Sequence, residues 1–131
     1  MGEPNKKHKI LVIDDEAEVT EMVATNLTEH GYEVETLTKP RAAAEVALRF
    51  KPDVILLDYI MPKASGSDVL HNLRRMARFA KTPIVFVSAV APPTGNNADP
   101  TTAGGGPVQK PVEMADLVKR IEAELKALED S

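Results

Sequence analysis

Short apolar runs separated by helix-periodic segments constrain the fold of this chain more than any other feature. The runs Ile10–Ile13 and Val54–Leu57 contain β-branched residues and do not alternate with polar ones. Such runs are typical of strands buried on both faces of a parallel sheet. The segments between them carry apolar residues at helical spacing. This alternation predicts an α/β fold with a doubly wound parallel sheet.

Three carboxylates stand where these two runs end. Asp14 and Asp15 follow the first run, and Asp58 follows the second. Because parallel strands carry their carboxyl ends to the same edge of a sheet, we expect the three acids to converge at the usual ligand-binding edge. Neighbouring carboxylates disfavour each other's ionised form unless a cation lies among them. The pattern therefore favours a bound divalent cation.

Composition narrows the class of protein. The chain has 131 residues, enough for one domain with a sizeable core, and it has no cysteine for a disulfide or thiolate metal site. No apolar run reaches the length of a membrane span, and the first residues lack the apolar core of a signal peptide. We therefore expect a cytoplasmic protein without membrane contact. A net charge of −4 and the lack of a basic cluster argue against direct nucleic-acid binding.

The predicted secondary structure continues the strand–helix alternation. The first helix ends near Gly31 and carries on its apolar face Val19, Met22, Val23 and Leu27. An edge strand then covers Tyr32–Leu37. The second helix covers Arg41–Phe50 and ends before Pro52. A later helix places Val69, Leu70, Leu73, Met76 and Ala77 on one face, a strand covers Pro83–Ser88, and the last helix carries Met114, Leu117, Val118, Ile121, Leu125 and Leu128. These spacings predict helices that cover the sheet on both faces.

The segment Ala91–Pro107 breaks the pattern. It holds Pro92, Pro93, Pro100 and Pro107, four of the ten prolines, and Gly95, Gly104, Gly105 and Gly106, four of the seven glycines. Each internal Gly costs a helix about 1 kcal/mol and each internal Pro about 3 kcal/mol. We therefore predict a loop, and so long a loop in a compact domain is either disordered or functional.

A set of features in this order resembles a response regulator receiver domain. They are Asp14-Asp15 after the first strand, Asp58 followed by Met61-Pro62 and Gly66, Ser88 after the fourth strand, and Lys110-Pro111 before the last helix. The resemblance implies a five-stranded parallel sheet in the order 2-1-3-4-5, the flavodoxin-like receiver fold. Here the Pro/Gly-rich loop would replace the fourth helix. Residues 1–8 are expected to form a flexible tail and residues 9–129 the receiver domain, with no output domain.

The resemblance also implies functional residues. Asp58 would be the phosphoacceptor, a carboxylate nucleophile for a phosphoryl group. Asp15, Asp58 and the backbone carbonyl of Ile60 would bind Mg²⁺ directly, and Asp14 would act through water. Hard oxygen ligands with retained waters suit this ion. Helix capping is an alternative role for Asp14 and Asp15.

Lys110 and Ser88 would assist the transfer. The resemblance implies that the Lys110 ammonium and the Ser88 hydroxyl each contact a phosphoryl oxygen, since phosphoryl transfer depends mainly on charge neutralisation and alignment. Glu16 is interpreted as a solvated acid of the first helical turn. The apolar residues Ile60 and Val90 predict slow self-dephosphorylation, because they do not orient an attacking water.

Signalling is expected to depart from the family's usual switch. Ser88 would move toward the phosphoryl group, but the position that usually carries a switching aromatic residue is Pro107. Our hypothesis is that phosphorylation orders or repositions the 91–107 loop instead.

The expected partners follow from the same resemblance. A sensor histidine kinase or histidine phosphotransfer protein would donate the phosphoryl group, and a downstream protein of unknown identity would receive the signal by contact or phosphoryl shuttling. The chain would not be an enzyme beyond its own aspartyl phosphorylation and slow dephosphorylation. The last helix permits a monomer or a phosphorylation-dependent dimer, with Leu125 and Leu128 as candidate contacts.

Two alternatives belong to other functional classes. The first is a phosphorylation-independent interaction module that uses the receiver fold as a scaffold. The second is an Asp-nucleophile phosphatase, but such an enzyme needs an Asp two residues after the first acid, and this chain has Glu16 there. The set of Asp14, Asp15, Asp58, Ser88 and Lys110 favours the phosphoacceptor over both.

Overall fold

The computed structural model describes residues 7–61, 64–88 and 108–130. Within these ranges the chain forms one five-stranded sheet and four α-helices. The strands are β1 Lys9–Ile13, β2 Glu33–Leu37, β3 Val54–Asp58, β4 Ile84–Ser88 and β5 Val108–Gln109. The helices are α1 Ala17–Glu29, α2 Ala43–Phe50, α3 Gly66–Arg74 and α4 Met114–Asp130. Short antiparallel strands, Ile60–Met61 and Ala64–Ser65, lie between β3 and α3.

The five strands are parallel and lie in the order β2-β1-β3-β4-β5. The predicted order 2-1-3-4-5 is therefore confirmed. Ile13 at the end of β1 pairs with Leu57 of β3, so Asp14 and Asp58 come next at the same level. The predicted loop 91–107, with Pro107, and the predicted shielding residue Val90 lie outside the described residues.

The side chains of each strand alternate between two apolar layers. Ile10, Val12, Val54 and Leu56 pack with the residues of α1 and α4. Leu11, Ile13, Ile55 and Leu57 pack with those of α2 and α3. Because both faces are covered, every residue of β3 is buried, and the doubly wound arrangement inferred from the non-alternating runs is confirmed.

Two local signals mark helix ends as expected. Gly31, just after α1, has φ of +96°, and Lys51, just after α2, has φ of +59° before Pro52. A left-handed residue is a common way to end a helix. The first turn of the predicted helix Arg41–Phe50 is a 3₁₀ turn over Pro40–Ala42.

Three residues of the predicted apolar helix faces lie elsewhere in the structure than expected. Met22 of α1 is exposed, because it lies at the margin of the apolar face. Met76 and Ala77 lie beyond α3, which ends at Arg74. The Arg74 guanidinium donates hydrogen bonds to the carbonyls of Phe79 and Thr82, which stabilises a turn after the helix. Phe79 in that turn is buried, and it joins the same core layer that the partly buried Met76 packs against.

The last helix matches its predicted stripe in its inner part. Leu117, Val118, Ile121 and Leu125 are buried, whereas Leu128 is exposed. Of the two residues considered for partner contacts, Leu125 therefore belongs to the core. In the part of the chain that the structure describes, no helix is both long and apolar enough to cross a membrane.

Candidate functional site

Four carboxylates cluster at the carboxyl edge of the sheet. Asp14, Asp15, Glu16 and Asp58 each place a carboxylate oxygen within 4.8 Å of the others. Asp14 and Asp58 are buried. Like charges this close repel one another, and burial removes the water that would screen them, so the cluster requires positive charge nearby. Such a set of hard oxygen donors fits Mg²⁺.

Lys110, which follows β5 at the same edge of the sheet, supplies positive charge to this cluster. Its Nζ atom lies 2.8 Å from Asp14 Oδ2, 2.9 Å from Glu16 Oε1 and 3.5 Å from Asp58 Oδ2. The lysine side chain is 12% exposed. One largely covered ammonium group therefore faces three carboxylates, and the phosphoacceptor candidate is the most distant of them.

The surroundings of Lys110 shift its pKa. Burial lowers the pKa of the ammonium group, but the hydrogen bonds to Asp14 and Glu16 and the charges of Asp14 and Asp58 raise it. The net result is a pKa above the ordinary value for lysine. Lys110 therefore remains a cation at neutral pH and is suited to binding an anion.

Ser88 is joined to the same site through the backbone. It ends β4 and is buried. The Lys110 amide donates a hydrogen bond of 2.7 Å to the Ser88 carbonyl, which fixes the start of the Lys110–Pro111 connection, whose peptide bond is cis, against β4. Lys110 and Ser88, predicted to act together, are therefore neighbours at the sheet edge.

The other predicted residues lie either near this cluster or outside the residues that the structure describes. Ile60, predicted to offer its carbonyl to the metal, begins the short strand after Tyr59 and pairs with Ser65. Asp14, predicted as a possible helix cap, accepts a hydrogen bond from the Glu16 amide. Pro107 lies outside the described residues.

Gly66 has a function in the site that its place in the motif did not reveal. Its amide donates a 2.7 Å hydrogen bond to the Tyr59 carbonyl. A Cβ atom at residue 66 would lie 2.5 Å from the Asp58 carbonyl oxygen and 2.8 Å from Tyr59 Cα. Because both obstacles are backbone atoms, only glycine lets α3 approach the end of β3 this closely.

Two further features of the site were not predicted from the sequence. Glu16, interpreted as a solvated acid, has a side chain that is 59% exposed but binds Lys110. A groove of about 750 Å³ next to the cluster is lined by Asp15, Met61 and residues 38–42. The adjacent pair Asp15-Glu16 was the available signal for the first feature, while nothing in the sequence indicated the groove.

Comparison with known proteins agrees with this fold. The family model for the response regulator receiver domain matches residues 10–122. A probable transcriptional regulatory protein of Mycobacterium tuberculosis, TcrX, is 34% identical over 89% of this chain and 49% of its own length. PhoB of Pseudomonas aeruginosa, a phosphate regulon transcriptional regulatory protein, is 32% identical over 89% of this chain and 51% of its own length. The chain thus spans about half the length of these curated relatives.

Solved structures give the same answer. The chemotaxis response regulator CheY4 of Vibrio cholerae superposes with a TM-score of 0.79 at 29% identity, over 89% of this chain and 98% of that one. The BeF₃-activated receiver domain of Klebsiella pneumoniae RstA gives 0.75 at 27% identity, over 91% and 99%. With its 2-1-3-4-5 parallel sheet and the acids and lysine at its carboxyl edge, this chain belongs to the response regulator receiver domains of two-component systems.

Proposed function

We propose that this receiver domain, over residues 9–129, takes a phosphoryl group onto Asp58 and passes the signal on by protein contact or phosphoryl shuttling. The observation that carries the proposal is a buried Asp58 carboxylate in a four-acid cluster, with the Lys110 ammonium 3.5 Å away. The donor is the phosphohistidine of a sensor histidine kinase or histidine phosphotransfer protein, or a small acyl phosphate.

The chemistry follows from the groups at the sheet edge. A carboxylate oxygen of Asp58 attacks phosphorus, and the bond from phosphorus to the donor nitrogen or oxygen breaks. Lys110 binds one phosphoryl oxygen, and the Ser88 hydroxyl donates a hydrogen bond to another. Asp15, Asp58 and the Ile60 carbonyl would hold Mg²⁺, with Asp14 acting through water, and the bound ion would supply further positive charge near the phosphoryl group. The protein contributes position and charge, which is most of what this transfer requires.

Similarity to an activated relative supports the proposal. The receiver domain of Klebsiella pneumoniae RstA shares the fold and is described as BeF₃-activated. The curated relatives are named as transcriptional regulators and are about twice as long as the match. Transcriptional regulation is a property of those proteins. For this chain the proposal extends only to contact with a downstream protein.

Intact mass spectrometry tests the proposal. Wild type, Asp58→Asn and the exposed-surface control Asp116→Asn are incubated with acetyl phosphate, with Mg²⁺ or with EDTA. We expect one phosphate adduct on wild type and on Asp116→Asn, only with Mg²⁺, and none on Asp58→Asn. We expect the adduct to decay slowly, with a lifetime of hours.

Two results would contradict it. An adduct of equal yield on Asp58→Asn would place the acceptor elsewhere. The absence of an adduct from acetyl phosphate, from phosphoramidate and from a phosphorylated histidine phosphotransfer protein would favour a phosphorylation-independent interaction module.

A further inference from the structure

Lys110 makes contacts in this structure that the proposed phosphoryl transfer does not require. An ammonium group has three donors. The two shortest contacts of Lys110 are with Asp14 and Glu16, at 2.8 and 2.9 Å, whereas Asp58 is at 3.5 Å. In this conformation the lysine is held toward β1 and the start of α1, and only loosely toward the residue that receives the phosphoryl group.

The backbone of Glu16 is fixed by hydrogen bonds at the start of α1, whereas its side chain extends away from the helix. Its amide donates to Asp14 Oδ1 at 2.9 Å, and its carbonyl accepts from the amides of Val19 and Thr20. Glu16 occupies the N-cap position of α1, where side chains commonly bind the helix amides. Its side chain makes no such capping bond and instead reaches Lys110, 94 positions away in sequence.

We propose that Glu16 is a positioning residue that holds Lys110 in the unphosphorylated protein and gives it up when a phosphoryl group on Asp58 competes for it. This inference rests on the proposed function. The two carboxylates that hold Lys110 differ in strength, because the Asp14 side chain is 3% exposed and that of Glu16 is 59% exposed. Exposed ion pairs contribute little free energy. Glu16 is therefore the contact that Lys110 exchanges, and Asp14 the one it keeps.

A phosphoryl group is a strong competitor for Lys110. It brings nearly two negative charges and strong acceptor oxygens to Asp58. The Glu16 carboxylate offers only one negative charge, so at equal distance the phosphoryl group attracts the ammonium more strongly. Since Lys110 Nζ already lies 3.5 Å from Asp58, a small movement of the ammonium group completes the exchange.

The Glu16 carboxylate then has two separable effects. Its charge attracts a divalent cation to the cluster, whereas its bond to Lys110 opposes binding of a phosphoryl group. Glu16→Gln removes the charge and weakens the bond. Glu16→Asp keeps the charge but is one methylene shorter, so it loses reach toward Lys110. A general loss of structure would instead weaken the binding of the divalent cation and the binding of the phosphoryl group together.

Titration calorimetry on the full chain separates these effects. The ligands are Mg²⁺ alone, and beryllofluoride at saturating Mg²⁺. We expect both Glu16→Gln and Glu16→Asp to bind beryllofluoride about two- to fivefold more tightly than wild type, the range for an exposed ion pair. We expect Mg²⁺ alone to bind Glu16→Gln about twofold more weakly and Glu16→Asp as it binds wild type. Glu18→Gln, an exposed acid in the first turn of α1, should match wild type with both ligands.

The outcomes distinguish this inference from the proposed function. If wild type and Glu18→Gln bind beryllofluoride and Glu16→Asp binds it no more tightly, the inference is wrong and the proposed function stands. Weaker binding of both ligands by Glu16→Asp also overturns the inference, because it indicates a structural role. If wild type itself shows no Mg²⁺-dependent beryllofluoride binding, the proposed function fails and the inference fails with it.

Discussion

At the scale of single residues, the site is a problem of charge balance. Asp14 and Asp58 are buried carboxylates, and the Lys110 ammonium contacts both. Removing one partner from a buried ion pair leaves an uncompensated charge, which costs more than the pair itself contributes. Lys110 is therefore expected to support the fold as well as the chemistry.

Substituting Lys110→Met should reveal that role. Met keeps the apolar length of lysine but removes the charge, so in Mg²⁺-free buffer we expect the free energy of unfolding to fall by roughly 3 kcal/mol. Urea unfolding with EDTA measures it. Addition of Mg²⁺ should reduce the deficit, since the cation replaces the missing charge. The control is Lys119→Met on the exposed side of α4, and an equal loss in both variants would contradict the prediction.

At the scale of secondary-structure elements, the approach of α3 to β3 sets the position of Asp58. Gly66 begins α3, and its missing side chain leaves room for the Asp58 carbonyl. Elsewhere in a helix, replacing Gly with Ala stabilises the protein by up to about 1 kcal/mol. At residue 66 the backbone of β3 blocks the added methyl group, so packing outweighs helix propensity.

Gly66→Ala should therefore lower both stability and function. We expect a reduced free energy of unfolding and a slower rate of Asp58 phosphorylation, because the clash moves the end of β3. Urea unfolding and the intact-mass time course provide the two measurements. Gly31→Ala is the matched control: its φ of +96° makes alanine unfavourable, but apart from its chain neighbours no heavy atom of the described residues lies within 4 Å of the added Cβ. It should lose stability without a slower phosphorylation rate at equal folded concentration. A normal rate for folded Gly66→Ala would show that the clash is absorbed without moving Asp58.

At the scale of the whole molecule, the acidic cluster exists only in the folded chain. Asp15 and Asp58 are 43 residues apart in sequence (58 − 15 = 43), and the parallel sheet brings them together. A ligand that binds the folded state and not the unfolded state raises the free energy of unfolding. Metal binding at this edge should therefore be visible as a change in global stability.

Thermal unfolding measures this linkage. At a free Mg²⁺ concentration about 100 times the Kd, we expect the free energy of unfolding to rise by about 2.7 kcal/mol, with a higher Tm that EDTA reverses. NaCl at equal ionic strength controls for screening of the net charge of −4. Asp15→Asn should lose most of the Mg²⁺ effect. If Mg²⁺ raised the Tm of wild type no more than NaCl does, the cluster would not be a metal site.

The sequence by itself determined the alternation of strands and helices, the covered parallel sheet and the convergence of Asp14, Asp15 and Asp58 at one edge. Non-alternating apolar runs have few alternatives to a covered parallel sheet, and chain direction takes the residue after each strand to one edge. The order of the strands came from the resemblance, since periodicity alone leaves the neighbours of a strand open.

Only the tertiary structure decided the contacts between distant segments. The Lys110–Glu16 bond, the contact of Gly66 with the Asp58 carbonyl and the end of α3 at Arg74 depend on distances of a few ångströms between residues remote in sequence or on a local hydrogen-bond choice. Propensity and periodicity report which face of an element is apolar. They do not report which acid a lysine reaches or where a backbone leaves no room for a Cβ atom, because those outcomes depend on how the packed elements meet.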